Sequence, residues 1–359
     1  MLRKAAALLI TCAGIAMWTA CGTTSSHYVY ATIPQANQIL AYREDPNSGV
    51  LTALPGSPFA AGSAAQALVL HPSNKFLYVA NSGSTDNNIS LFTIASGGAL
   101  TGVTPRTATG GTAPTLLTMD AAGGFLYVGN AGSNSISVFS IDSSSGALSP
   151  VSGSPFPIGI SAISMKLSPS GNFLYVGGGA GSPGLIEIFT VNAGVLAAVG
   201  SVSTDGTSPY GLVIDPTGTF LYAANQGSNS IAEFSIGSDG SLAPLSGSPI
   251  GGSLTAPIAL LIDPSGEFLY VANDTSSGTL AAYTIDSGGG LTVLTKSPFR
   301  TGANPNFLVT DPSGKYLLVG TQGSSAEIQV FGLSQSDGTL SSLASYSTGN
   351  TPTSIVVMQ

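Results

Sequence analysis

The stretch that decides the fold runs from Pro257 to Arg300 and reads PIALLIDPSGEFLYVANDTSSGTLAAYTIDSGGGLTVLTKSPFR. Ile258 to Ile262 is an apolar run of strand length. Asp263-Pro264-Ser265-Gly266 follows, with Asp first, Pro second and Gly fourth, as a type I turn prefers. Glu267 to Asn273 is a second run and Thr279 to Ile285 a third. Gly289 opens the turn into a fourth, near Leu291 to Leu294. These four segments read as strands A, B, C and D of one unit. A and B are nearly continuously apolar, so both of their faces are expected to be buried.

The unit repeats. Phe-Leu-Tyr recurs at Phe76/Tyr78, Phe125/Tyr127, Phe173/Tyr175, Phe220/Tyr222 and Phe268/Tyr270, with looser copies at Tyr28/Tyr30 and Tyr316/Leu318. A second marker, Gly-x-Leu, starts at Gly49, Gly98, Gly146, Gly194, Gly240, Gly289 and Gly338. Each marker counts seven at a period near 48 residues, which is the signature of a repeat architecture. The A–B turn appears six times, and the seventh is missing where the chain begins and ends. Ser354 to Met358 reads as a strand A without a B, and Tyr28 to Thr32 as a strand B without an A. Pairing them closes a seven-bladed β-propeller of four antiparallel strands per blade over residues 27–359. Closure also removes both open sheet edges.

Composition agrees with an all-β chain. There are 47 Gly and only 7% charged residues in 359, a poor mixture for helices. A basic Arg3-Lys4 and an apolar segment, Ala5 to Ala16, precede Trp18-Thr19-Ala20-Cys21. Residues 1–20 read as a lipoprotein signal peptide. Cys21 is then the lipidated residue and 21–26 a short tether, with simple cleavage as the alternative. The expected address is the cell envelope, periplasmic or outer-membrane-anchored, with the lipid as the membrane contact. Without Arg3 and Lys4 the chain carries seven basic against 17 acidic residues, net −10. The scattered basic residues cannot neutralise a phosphate backbone, which excludes nucleic acid.

The runs Tyr78-Val-Ala-Asn81, Tyr127-Val-Gly-Asn130, Tyr222-Ala-Ala-Asn225 and Tyr270-Val-Ala-Asn273 resemble the YVTN propeller repeat. With the Asp-Pro-Ser-Gly turn, Gly-x-Leu and Gly-Ser-Pro-Phe, the longer unit is similar to the lactonase family of seven-bladed propellers. The resemblance covers essentially residues 27 to 359. It implies a link to 6-phosphogluconolactonase and to cycloisomerases of carboxylated lactones.

Ligands of propellers gather at the axial channel, on the face carrying the B–C and D–A loops. Residues that break the repeat are the better site candidates there. Gln66, Thr115, Tyr210, Asn306 and Thr353 sit at or beside the start of strand A. With Arg106, Arg300 and Asp205 from D–A connections they make a polar mouth. Glu327 opens a strand C, and Lys166 replaces an apolar residue of strand A. The weak catalytic candidates are thus Arg106, Arg300, Asp205, Glu327 and Lys166. Two Arg suit an anion, and Asp205 or Glu327 suits a base. Asn81, Asn130, Asn225 and Asn273 recur, so they read as caps of loop backbone. Asp120, Asp215, Asp263 and Asp311 read as turn caps. His27 and His71 read as surface or turn residues. No spacing places two carboxylates together, and neither a metal site nor a cofactor is expected.

Two functions compete. The sparse ionisable groups and the envelope address favour a monomeric binding module whose partner is a protein, a glycan or a small lactone. The alternative is a lactone hydrolase or cycloisomerase. Exclusion of 6-phosphogluconolactone, a cytoplasmic metabolite, from an exported protein tilts the reading towards the module.

Overall fold

The computed structural model describes residues 26–358 apart from 180–182, 253, 324 and 325; the expected signal peptide, Cys21 and most of the tether lie outside the described residues. Seven antiparallel sheets form seven blades. Apart from two single-turn 3₁₀ segments, Pro34–Ala36 and Gln226–Ser228, the regular elements are strands.

The innermost strands A of blades 2 to 7 are Ala65–Leu70, Pro114–Met119, Ala162–Leu167, Pro209–Ile214, Pro257–Ile262 and Pro305–Thr310. Blade 6 shows the plan: A pairs with Phe268–Asn273 (B), B with Thr279–Ile285 (C), and C with Leu291–Val293 (D). Strand D then breaks and resumes as Phe299–Arg300. At the break the Ser of Gly-Ser-Pro-Phe or its equivalent accepts a strand C amide, as Ser297 does from Ala282 (3.0 Å) and Ser154 from Val138 (2.9 Å).

Blade 1 is composite. Ser354–Met358 pairs antiparallel with His27–Ile33, from Tyr28 opposite Met358 to Thr32 opposite Ser354. The expected register is the observed one. Neither chain end leaves an open inner edge, and Ile355 is fully buried.

Strand B is buried along its length in blades 2, 6 and 7 and at all but one residue in the others, as its continuous apolar pattern implies. Strand A differs from expectation. Along Ala65–Leu70 and Pro305–Thr310 only the first and fourth residues are buried and the other four are half-buried. Strand A pairs along one edge with strand B and borders an axial cavity, so its apolar pattern reports only in part on the core.

The turns behave as their residues dictate. Asp263 Oδ1 accepts the Phe268 amide (2.9 Å), Asp311 Oδ1 that of Tyr316 (2.7 Å) and Asp120 Oδ1 that of Phe125 (2.6 Å). The carboxylate thereby supplies the backbone partners a tight turn leaves short.

Candidate functional site

The axial cavity measures about 630 Å³ and is lined by the inner faces of the seven strands A. The second residue of each strand A or its equivalent forms a ring: Gln66, Thr115, Ile163, Tyr210, Ile258, Asn306 and Thr353. In blades 2 to 7 this residue falls at a bulge in the pairing with strand B, as Gln66 does between Ala65 and Ala67. A bulge re-aims the side chain away from the pleat. The expected mouth residues Gln66, Thr115, Tyr210, Asn306 and Thr353 are therefore brought together, and Tyr210 is 44% exposed.

Two of them also stitch the ring. Thr353 Oγ1 donates to the Gln66 carbonyl (2.7 Å) and lies 3.1 Å from Thr32 Oγ1. Asn306 Nδ2 donates to the Pro352 carbonyl (2.8 Å), while its buried Oδ1 has no hydrogen-bond partner.

Deeper in the cavity sits Lys166, whose equivalents Val69, Thr118, Leu261, Val309 and Val356 share the lining. It is three residues below the Ile163 position, about 10 Å along the strand. Lys166 is exposed to the solvent of the cavity, and partial desolvation there lowers its pKa from the ordinary lysine value. Asp120 is the other charged residue of the lining. It belongs to an A–B turn at the far end and is engaged with backbone.

The remaining candidates do not join them. Arg106 lies on the outer strand Leu100–Ala108, where it donates to the Ala61 carbonyl (3.0 Å) and lies 3.6 Å from Asp86. Arg300 is exposed on the outer strand Phe299–Arg300. Asp205 is exposed and accepts from Ser203 Oγ (2.8 Å). Glu327 Oε1 accepts from Gln329 Nε2 (2.7 Å). None of these four lines the cavity. A D–A connection begins at the blade's outermost strand, so much of it lies a blade's width from the axis.

Three of the recurrent Asn residues bond loop backbone as read, Asn225 through Nδ2 to the Thr204 carbonyl (3.3 Å), whereas Asn130 Nδ2 bonds the Ser135 and Ser137 hydroxyls. Asn81 Oδ1 accepts the Gly62 amide (3.1 Å) and Asn273 Oδ1 the Thr255 amide (3.1 Å).

The two histidines are not surface residues, although His71 stands in its A–B turn as read. Both are buried. His71 bonds Ser73 Oγ and the Gly123 carbonyl through its two ring nitrogens. His27 lies beside Glu44 (3.3 Å) and Asp311 (3.7 Å), a buried cluster that brings two carboxylates together after all. The missed signal was Glu44 itself, a carboxylate at the end of a strand C.

Three comparisons bear on this geometry. The family model described as Lactonase, 7-bladed beta-propeller, matches residues 23–158, 157–258 and 248–357. Over 72 residues the chain is 40% identical to a 6-phosphogluconolactonase of Formosa agariphila, covering 20% of each. Over 126 residues it is 32% identical to that of Pectobacterium atrosepticum, covering 33% of this chain and 37% of the relative. The chain thus spans about a fifth to just over a third of those relatives' lengths. Among solved structures, a Bacteroides fragilis protein superimposes with TM-score 0.81 at 22% identity, over 94% of this chain and 99% of that one. The periplasmic gluconolactonase of Pseudomonas aeruginosa superimposes with TM-score 0.76 at 20% identity, over 93% and 99%. At those identities the likeness is one of fold.

Proposed function

The chain belongs to the seven-bladed β-propeller lactonase family, and from that premise we propose that it hydrolyses a small sugar lactone in the axial cavity. The carrying observation is Lys166, an amine at a position held by uncharged residues in the other blades, inside a cavity of ligand size. Family membership and this residue support catalysis over the binding-module reading.

The charge of the cavity selects the substrate. One amine, with Arg106 and Arg300 elsewhere, suits an uncharged or singly charged lactone better than a phosphorylated one. The similarity in fold to a periplasmic gluconolactonase supports the same class. An exported address is part of the proposal.

In its neutral form the Lys166 amine takes a proton from water as that water attacks the lactone carbonyl. Desolvation favours the neutral form. The tetrahedral intermediate collapses with cleavage of the bond to the ring oxygen, which receives the proton back from Lys166. The product is the open hydroxy acid. Gln66, Thr115 and Tyr210 offer amide and hydroxyl groups to the substrate hydroxyls at the mouth.

The test is hydrolysis of glucono-1,5-lactone and of its 6-phosphate by the purified protein, corrected for the spontaneous reaction. The neutral lactone is expected to turn over, and Lys166→Met to lower kcat/KM roughly 10²-fold or more. A wild-type rate no greater than the blank, or an unaffected Lys166→Met variant, overturns the reading.

A further inference from the structure

Glu44 ends strand C of blade 1, opposite His27. The same position in the other blades holds Ile94, Ile141, Val191, Ile236, Ile285 and Leu333, each donating its amide back to the residue opposite. A carboxylate therefore replaces a branched aliphatic at one place in seven. It is completely buried, and neither of its oxygens has a hydrogen-bond partner. His27 Nδ1, in a side chain 91% buried, lacks one too, although Glu44 Oε2 is 3.3 Å away. Burying unpaired ionisable groups in this way is costly unless something else satisfies them.

The third member comes from the neighbouring blade. Asp311 Oδ2 lies 3.7 Å from His27 Nδ1, and donor atoms of all three residues fall within 4.8 Å of one another. Asp311 is held in place by its own turn, through the Ser313 amide (3.0 Å) and Ser313 Oγ (2.5 Å).

We propose that His27, Glu44 and Asp311 bind one divalent cation of the zinc type, which clasps blade 1 to blade 7 where the chain closes on itself. Two carboxylates and a neutral imidazole carry the charge that matches a dication. At metal–ligand bonds of about 2.0–2.1 Å, the edges of a tetrahedron are about 3.3 Å. The two observed separations from His27 Nδ1 are near that value. An imidazole among only three protein ligands suits zinc and its neighbours, whereas calcium takes six to eight oxygens. The site lies on the A–B and C–D turn face, away from the polar mouth, and in blades 1 and 7 rather than blade 4, which carries Lys166. It is independent of the proposed lactone chemistry.

The experiment strips the full-length protein with chelator, removes the chelator and titrates with zinc alone by calorimetry, following Tm in parallel. One equivalent per chain and a higher Tm with zinc are expected, and cobalt in place of zinc should give the visible bands of a tetrahedral ion. Glu44→Gln should weaken zinc binding at least 100-fold. Glu44→Ile, which restores the aliphatic of the other blades, should fold and show a Tm indifferent to zinc. Failure of the wild-type protein to bind stoichiometric zinc overturns the proposal. So does equal zinc affinity in wild type and Glu44→Ile.

Discussion

The hydroxyl of Tyr270 in blade 6 donates to the carbonyl of Gly338 in blade 7 at 2.8 Å. The same bond joins Tyr30 to Gly98, Tyr78 to Gly146, Tyr175 to Gly240 and Tyr222 to Gly289. The first aromatic of the preceding blade lies under the same glycine. A Cβ on Gly338 would stand 2.4 Å from Phe268 Cδ1, and one on Gly49 2.7 Å from Tyr316 Cδ1. The two sequence markers are thus the two halves of one clasp between blades.

Gly338 has φ +65 as well as no room for a side chain. Gly338→Ala should cost about 2–4 kcal/mol, from left-handed backbone strain and overpacking together. Tyr270→Phe leaves the Gly338 carbonyl without its donor and should cost about 1–2 kcal/mol. Urea denaturation midpoints rank the two. Equal and negligible shifts would remove the clasp from the stability of the ring.

Deletion of residues 354–359 should unfold the protein rather than trim it. The lost strand includes Ile355 and Met358, both buried, and half-buried Val356 and Val357. At ~1.5–3 kcal/mol per fully buried side chain, the loss is about 5 kcal/mol or more, comparable with a whole domain's stability. A truncated chain that melts like the full one would show that the ring does not depend on its closing strand.

Lys166 gives stability a pH dependence of defined sign. Its folded pKa lies below the unfolded one. Between the two values the unfolded chain holds the proton that the folded chain has released, so stability rises with pH across that window. The window ends near the ordinary lysine value, about 10.4. Relative to Lys166→Met, the wild-type midpoint should climb as pH rises towards that value, and the variant should be the more stable at neutral pH. Parallel pH profiles for the two proteins would contradict this. In the lactone assay, kcat/KM should likewise rise as Lys166 loses its proton, with an inflection below the ordinary lysine range.

The lipobox reading of Cys21 makes a separate prediction. Trp18 is the chain's one Trp and precedes Cys21. Processed protein should show tyrosine but no tryptophan emission, and Cys21→Ser should move it from the membrane to the soluble fraction. A Cys21→Ser protein that stays in the membrane rules out the lipid anchor.

What could be read from the residues alone was whatever depends on neighbours along the chain. Asp263-Pro264-Ser265-Gly266 makes its turn wherever it is placed, because the carboxylate bonds amides two to five residues on. Six such turns and one unpaired strand at each end leave few ways to bury the edges, so the pairing of Ser354–Met358 with His27–Ile33 was legible in advance. So was the ring of Gln66, Thr115, Tyr210, Asn306 and Thr353, which occupies one position of the repeat. Tertiary structure decided the rest. Strand D is the outer edge of a blade, which carries Arg106 and Arg300 away from the axis although they lie in connections that lead back to it. Lys166 faces a cavity rather than a neighbouring blade because closing seven strands A leaves their inner faces unpacked. His27 and Asp311 stand 284 positions apart in the sequence. Only the meeting of blade 1 with blade 7 brings Asp311 to within 3.7 Å of His27, over a Glu44 that has no partner within its own blade except that same histidine.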